Sequence, residues 1–419
     1  MRRMTGWVIT AAMLAACASP VAVPKPPESQ PALPSPLRTA SPISTPSKDP
    51  IPTESPATSP VVGPNEFTVR WKAEDPTGLA NVESIVGVAR AGDVYVLVAR
   101  LPFRDDGSSD TAAWWSRDGK AWKLAQEFPA EEQILTLTAG GPGFVVGGFS
   151  GGQAAVWTSS DGRAWTSVSD ASLSNGVIAQ LVSTASGLVG FGWRSDNDAA
   201  GIWTSSDGIE WLAATNETGL KVARGLQAVA AYDGRAIAIF RAGEANQQEI
   251  WETTGRADWT EVGSLSTKAT VEQLAGGQRG WVAIGSNRAW TSTDGRRWSK
   301  GVSGPDVASD VIVDDAGFVA VGFVGSLPGE TRGDQRPFAG HTWTSSDGRT
   351  WKLTPVRTEF KAAMVTRLLA VDRTLLGYGQ RLSESEEGMP VGRWAAALPG
   401  TTSPVETSDK PTSVRGCGG

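Results

Sequence analysis

Apolar positions along the chain fall into seven short double runs, at residues 84–100, 134–149, 178–193, 222–240, 271–286, 310–324 and 366–380. Their second halves share a form, as in Gly143-Phe144-Val145-Val146-Gly147-Gly148-Phe149 and Gly317-Phe318-Val319-Ala320-Val321-Gly322-Phe323. Near-continuous small and β-branched residues bounded by glycine predict buried strands, paired here as hairpins. Glycine inside such a strand predicts close approach of another backbone, as sheets converging on an axis would require.

Between these runs stands a polar phrase framed by tryptophan, typified by Trp157-Thr158-Ser159-Ser160-Asp161-Gly162-Arg163-Ala164-Trp165. The same frame returns as Trp114 with Trp122, Trp203 with Trp211, Trp290 with Trp298 and Trp343 with Trp351. A worn copy, Trp251 with Trp259, keeps both rings and loses the Asp-Gly. Threonine and tryptophan favour strand, and Asp-Gly between them predicts a second kind of hairpin. The aspartates Asp118, Asp161, Asp207, Asp294 and Asp347 are then turn residues whose carboxylates accept turn amides, and the rings supply packing area.

One apolar hairpin plus one tryptophan hairpin makes a four-stranded unit of propeller-blade size. Self-similarity at this period predicts a repeat architecture, and seven apolar hairpins predict an all-β, seven-bladed β-propeller over residues 65–399. Six tryptophan pairs leave one blade short. Trp394 follows the last apolar hairpin and Trp71 precedes the first, and neither has a partner at the usual spacing. The two ends therefore supply one divided pair, with residues 67–72 as the outermost strand of the last blade. Such closure removes an exposed edge. Six blades with a stray hairpin, or eight blades, are the competing counts.

Composition adds the flanks. Arg2 and Arg3 precede an apolar stretch too short to span a bilayer, which ends in Leu14-Ala15-Ala16-Cys17. This resembles the lipobox of bacterial lipoproteins. The resemblance implies a signal peptide over residues 1–16, lipidation of Cys17, and an extracytoplasmic protein anchored to a bacterial membrane. Residues 17–64 are rich in Pro, Ser and Thr and predict a disordered tether, and residues 400–419 a similar tail. Cys417 is then an unpaired thiol or a bridge to another chain. The net charge of -6 carries no basic footprint for nucleic acid, and the expected state is a monomer.

The tryptophan phrase resembles the Asp-box (BNR-like) repeat of sialidase-type propellers through Ser159, Asp161, Gly162 and Trp165, although here glycine follows aspartate directly. The resemblance implies a turn far from any catalytic face. It implies little catalytic machinery: Leu101-Pro102-Phe103-Arg104 is not the Phe-Arg-Ile-Pro segment of sialidases, and Tyr95, Tyr232 and Tyr378 all fall in apolar hairpins. The lone His341 lies in a strand and reads as structural. No catalytic residue, metal or cofactor is assigned.

Function then belongs to the opposite face, on the loops at 101–111, 195–200, 325–340 and 382–390. These carry Asp105, Asp106, Asp110, Asp196, Asp198, Glu384, Glu386 and Glu387, solvated acids by default. Counted from the glycine pattern, the second strands end in Arg100, Ser150, Arg194, Arg241, Asn287, Val324 and Arg381. Arg100, Arg194, Arg241 and Arg381 at one equivalent place predict a shared site for a carboxylate, phosphate or acidic sugar. The competing reading has each arginine ending a strand in solvent or pairing with loop acids. The expected function is non-enzymatic binding of an extracytoplasmic protein or glycan, or scaffolding. The repeat resemblance leaves a glycoside hydrolase and a membrane-complex assembly factor as alternatives.

Overall fold

The computed structural model describes residues 67–398, apart from 175, 195–199, 214–223, 242–246, 255–258, 268, 286, 325–338, 355–359, 361–362 and 382–388. The expected signal peptide, Cys17, the tether, the tail with Cys417, and the acids Asp196, Asp198, Glu384, Glu386 and Glu387 lie outside the described residues.

The strands form seven four-stranded antiparallel sheets. Blade 1 comprises Ser84–Ala91, Val94–Arg100, Thr111–Ser116 and Lys123–Phe128, hydrogen-bonded in that order. Blades 2 to 6 repeat the order, opening with Glu132–Gly140, Gly176–Thr184, Arg224–Tyr232, Gln273–Gly277 and Asp310–Asp314. Blade 7 takes Ala363–Val371, Thr374–Arg381 and Val391–Ala397 from the C-terminal end and Lys72–Glu74 from the N-terminal end. Successive first strands contact one another, blade 7 returning to blade 1, so they surround a common axis. The fold is a seven-bladed β-propeller.

The closing strand corrects the expected boundary. Lys72 pairs with Ala395, Ala73 with Trp394 and Glu74 with Arg393, so the strand begins where the predicted one ends. Trp71 immediately precedes it, as Trp122 precedes Lys123–Phe128 and Trp351 precedes Lys352–Thr354. The second tryptophan of each pair finishes the turn, and the outer strand starts after it. Residues 67–71 instead lace blade 6: Trp71 Nε1 donates to Thr342 Oγ1 at 2.9 Å, and Thr344 Oγ1 donates to the Phe67 carbonyl at 3.1 Å. The blade count stays at seven because the segment still completes blade 7.

Burial explains why the tryptophans recur. The apolar core is divided into seven clusters, one per seam between adjacent blades. Each seam is filled by the tryptophan pair of the following blade packed on second-strand residues of the preceding one. Trp157 and Trp165 meet Val96 and Val98, Trp251 and Trp259 meet Val189 and Phe191, and Trp71 and Trp394 meet Val319 and Val321. Phe128 sits edge-on to Trp157 at 5.6 Å, and Phe191 to Trp259 at 5.2 Å. At ordinary transfer energies each buried indole contributes about 4–6 kcal/mol before entropy is counted.

The strand glycines have a local cause as well. In five first strands a residue is inserted near the beginning of the strand, shown by the register shifts Ile85/Gly87, Ile134/Thr136, Ile178/Gln180, Leu226/Ala228 and Val365/Arg367. Such a bulge pushes a carbonyl across the sheet. A Cβ at Gly148, Gly192 or Gly379 would fall on the carbonyl oxygen of Gln133, Val177 or Met364 in the same blade, and Gly285 and Gly322 meet Thr270 and Val307 likewise. Only part of the expectation of neighbouring sheets survives: a Cβ at Gly147 would lie 2.7 Å from Ile178 of the next blade.

Candidate functional site

One end of the propeller carries the Asp-Gly turns. At each, one carboxylate oxygen of the aspartate accepts the amides two and three residues on. Asp118 takes Lys120 and Ala121, both at 2.8 Å, and Asp294 takes Arg296 at 2.8 Å and Arg297 at 2.9 Å. Asp161, Asp207 and Asp347 bond in the same way. The preceding serine donates to that carboxylate and accepts the glycine amide, as Ser205 does from Gly208 at 2.8 Å. The glycines hold φ between 66 and 83°, where a side chain is strained. Trp211, Trp298 and Trp351 donate their indole N–H to the carbonyls of Gly208, Gly295 and Gly348. Amide donation holds these carboxyls below the usual range, with the Arg297 amide the largest cause at Asp294, which is lowered to about 2. These five carboxylates are occupied by their own turns.

The residue after Asp-Gly reaches the preceding blade. Arg163 lies over the Trp115 ring at 4.0 Å, Arg296 bonds the Glu252 carboxylate at 3.0 and 3.3 Å, and Lys120 Nζ meets Glu74 at 3.1 Å. Glu74 also forms an ion pair with the buried guanidinium of Arg393, whose Nε donates to the Tyr378 hydroxyl at 3.4 Å. Tyr378 in turn donates to the Gly119 carbonyl at 3.1 Å. Burial, then Tyr95 and Asp118, pushes the Tyr378 phenol up. Tyr378 and Tyr95 are both buried, and His341 rests edge-on against Trp343.

A second group lines the axis. First strands are sheet edges, and their inward amides lack a strand partner. The residue after the bulge in one blade supplies that partner to the next. Thr136 Oγ1 accepts from Leu181 N at 3.1 Å, and Asp310 Oδ2 from Leu368 N at 2.7 Å. At the same position Arg367 donates to the Val86 carbonyl of blade 1 at 3.0 Å and to the Thr366 carbonyl at 2.7 Å. Burial pushes the Asp310 carboxyl up, and Arg367 pulls it back.

The opposite, upper end holds the expected arginines, and the register corrects their alignment. Ala99, paired with Ile85 just before the bulge, matches Gly148, Gly192, Phe240 and Gly379. Arg100 and Arg241 therefore stand one residue beyond that point, whereas Arg194 and Arg381 stand two beyond. Adjacent strand residues face opposite sides of a sheet. Arg100 and Arg241 share the side of Val98 and Ile239, which pack on the following blade; Arg194 and Arg381 share the side of Leu188 and Leu375, which pack on the preceding one. The four therefore occupy two levels on opposite sides of their sheets and not one equivalent place. Counting back from the glycine pattern misses this, because Ala99 and Phe240 replace glycine in two blades.

Local contacts agree. Arg100 Nη2 donates to Gln133 Oε1 of blade 2 at 3.3 Å, while its buried Nε has no partner. Arg381 lies over Trp394 at 5.6 Å and bonds Asp75 and the Glu74 carbonyl. Arg241 is exposed. Beside Arg100, burial pushes the Glu83 carboxyl up and Arg100 lowers it; burial and then Glu131 push up Glu132, at the matching position of blade 2. In the 101–111 loop, Asp110 pairs with Arg104 and Asp106 accepts the Ser108 amide at 2.8 Å. Among the described residues no three His, Cys, Asp or Glu side chains form a group able to hold a metal.

Realignment exposes a row that the sequence reading missed. Arg100, Phe149, Trp193 and Arg241 occupy one equivalent position in blades 1, 2, 3 and 4. Trp193 is 40% exposed, unlike the buried frame tryptophans Trp203 and Trp211.

No protein-family model matches the chain, and no curated protein matches its sequence. Among solved structures it is similar to a Lactobacillus plantarum protein at 14% identity, covering 66% of this chain and 86% of that one, with TM-score 0.43. It is similar to a glycosyl hydrolase from Bacteroides ovatus at 13% identity, covering 54% and 85%, with TM-score 0.31. The β-propeller domain of the Trilobed protease from Pyrococcus furiosus is similar at 8% identity, covering 78% and 99%, with TM-score 0.44. The likeness is one of fold.

Proposed function

We propose that this chain is a lipid-anchored extracytoplasmic propeller whose upper end binds an envelope protein or glycan without catalysing a reaction. The observation that carries this reading is the unequal use of polar groups at the two ends. Each turn-face aspartate commits one carboxylate oxygen to the backbone amides of its own turn, a structural role repeated in five blades. The upper end presents Arg241 and Trp193 to solvent and holds the unpartnered Nε of Arg100. Loops and strand ends on a rigid scaffold suit recognition. The Leu14-Ala15-Ala16-Cys17 segment supports the anchor, with the Pro-rich stretch as tether.

A glycoside hydrolase is the second reading, favoured by Glu83 and Glu132, carboxyls pushed up at matching positions of adjacent blades. A fluorogenic glycoside panel run beside a glycan array separates the two. Retained array binding with no turnover supports the binding reading. Turnover abolished by Glu83→Gln or Glu132→Gln overturns it. For the anchor, Cys17→Ser is expected to move the protein from the membrane to the soluble fraction; unchanged membrane retention sinks that part.

A further inference from the structure

The row Arg100, Phe149, Trp193, Arg241 spans four consecutive blades, with two aromatic rings between two guanidinium groups. All four side chains lie on the side of the sheet that faces the following blade, and they come from the same level of the second strand. Their order around the axis is their order in the chain. In all seven seams, tryptophan side chains at lower levels are buried as packing. Packing does not account for this row in the same way: Trp193 is 40% exposed, Phe149 is half-buried, and Arg241 is exposed. Arg100 bonds Gln133 through Nη2 alone, and its Nε is enclosed without a partner.

Resting on the reading of the upper end as a binding face, we propose that this arc binds an acidic polysaccharide, with sugar rings laid on Phe149 and Trp193 and carboxylates met by Arg100 and Arg241. Each part of the arc suits one part of such a ligand. Aromatic faces offer broad apolar contact to the C–H faces of sugar rings, and the indole N–H adds a donor. Guanidinium forks match carboxylates bidentately. The spacing favours a chain over a compact anion, because the two cations are separated by two intervening blades. A single phosphate or free sugar acid reaches only one of them. A run of uronate residues presents a charge at each end of a stacked segment.

The test uses the full chain, with a galacturonate hexamer as probe and a neutral oligosaccharide of equal length as control, followed by calorimetry. The uronate is expected to bind and the neutral chain to bind far more weakly, with affinity falling as salt rises. Trp193→Ala and Arg241→Gln are each expected to weaken binding about ten-fold. Arg381→Gln, which enters the seam of blades 6 and 7, outside the arc, is expected to leave it unchanged. Both test residues are exposed, and an unaltered melting temperature confirms that the variants fold. Absence of uronate binding, or binding that Trp193→Ala and Arg241→Gln leave intact, overturns the proposal. If a protein or a neutral glycan binds instead and Trp193→Ala weakens it, the acidic ligand is wrong while the upper-face reading stands. If ligands of every class ignore both variants, the upper-face reading falls too.

Discussion

Asp294 shows how much of a turn one carboxylate can hold. Its oxygen accepts the amides of Arg296 and Arg297 and the Ser292 hydroxyl. The folded value of about 2 lies below the ordinary 3.8. The contribution of its charge is therefore fully present above about pH 4 and is lost as pH falls toward 2. Asp294→Asn retains an acceptor without the charge. Its stability deficit is expected to be constant above that window and to vanish within it, as urea titrations at several pH values would report. Asp294→Ala also orphans the amides and should cost about 1–2 kcal/mol. At Gly148 the demand is steric, since a Cβ would fall on the Gln133 carbonyl, whereas at Gly190 it meets side chains at 3.4 Å or more. Gly148→Ala is expected to cost about 3 kcal/mol, and Gly190→Ala less than about 1 kcal/mol, by chemical denaturation. Similar costs would mean that the bulge carbonyl yields easily.

The blade is an element whose two edges are managed differently. Its outer hairpin is held by the Asp-Gly turn and joined to its neighbour through contacts such as Arg163 over Trp115 and Arg296 on Glu252. Its inner edge would leave amides facing the axis, and Thr136 and Asp310 supply acceptors to the next blade. Asp310→Ala removes the acceptor of Leu368 N and leaves Arg367 without its acidic neighbour. Loss of a charged acceptor costs about 1.5–3 kcal/mol, whereas Thr136→Val forfeits one neutral bond and should cost about 1 kcal/mol. Equal midpoint shifts in urea would show that the charge of Asp310 adds nothing beyond the hydrogen bond.

For the whole molecule, closure by Lys72–Glu74 joins the first described residues to the last blade and seals the seam of blades 6 and 7 with Trp71. Trp71→Ala leaves a cavity against Phe360 and Trp394 and unpairs Thr342 Oγ1. A loss of about 3–5 kcal/mol is expected. Replacing residues 72–74 by glycine should release the outer edge of Val391–Ala397, and size-exclusion chromatography should then detect association through that edge. A variant that stays monomeric and melts as before would show that the closing strand is dispensable.

The fold was legible because its signals are local. Each blade repeats an apolar hairpin and a tryptophan hairpin, and Asp-Gly with its serine builds a turn from residues within six positions of one another. The pairing of Trp71 with Trp394 could be read as well, since a closed ring leaves each end half a motif. The boundary of the closing strand was misplaced because the turn-ending role of the second tryptophan is clear only once outer strands are seen to begin after it. The arginine alignment failed for a deeper reason. A bulge adds one residue to a first strand and leaves no fixed mark in the second, so the side on which Arg100 or Arg194 emerges depends on pairing. Period-two structure turns a one-residue error into the opposite face. Composition and periodicity therefore determined the number of blades and the chemistry of their turns. Only the tertiary structure decided which side chains share a seam, and with that which residues form the arc from Arg100 to Arg241.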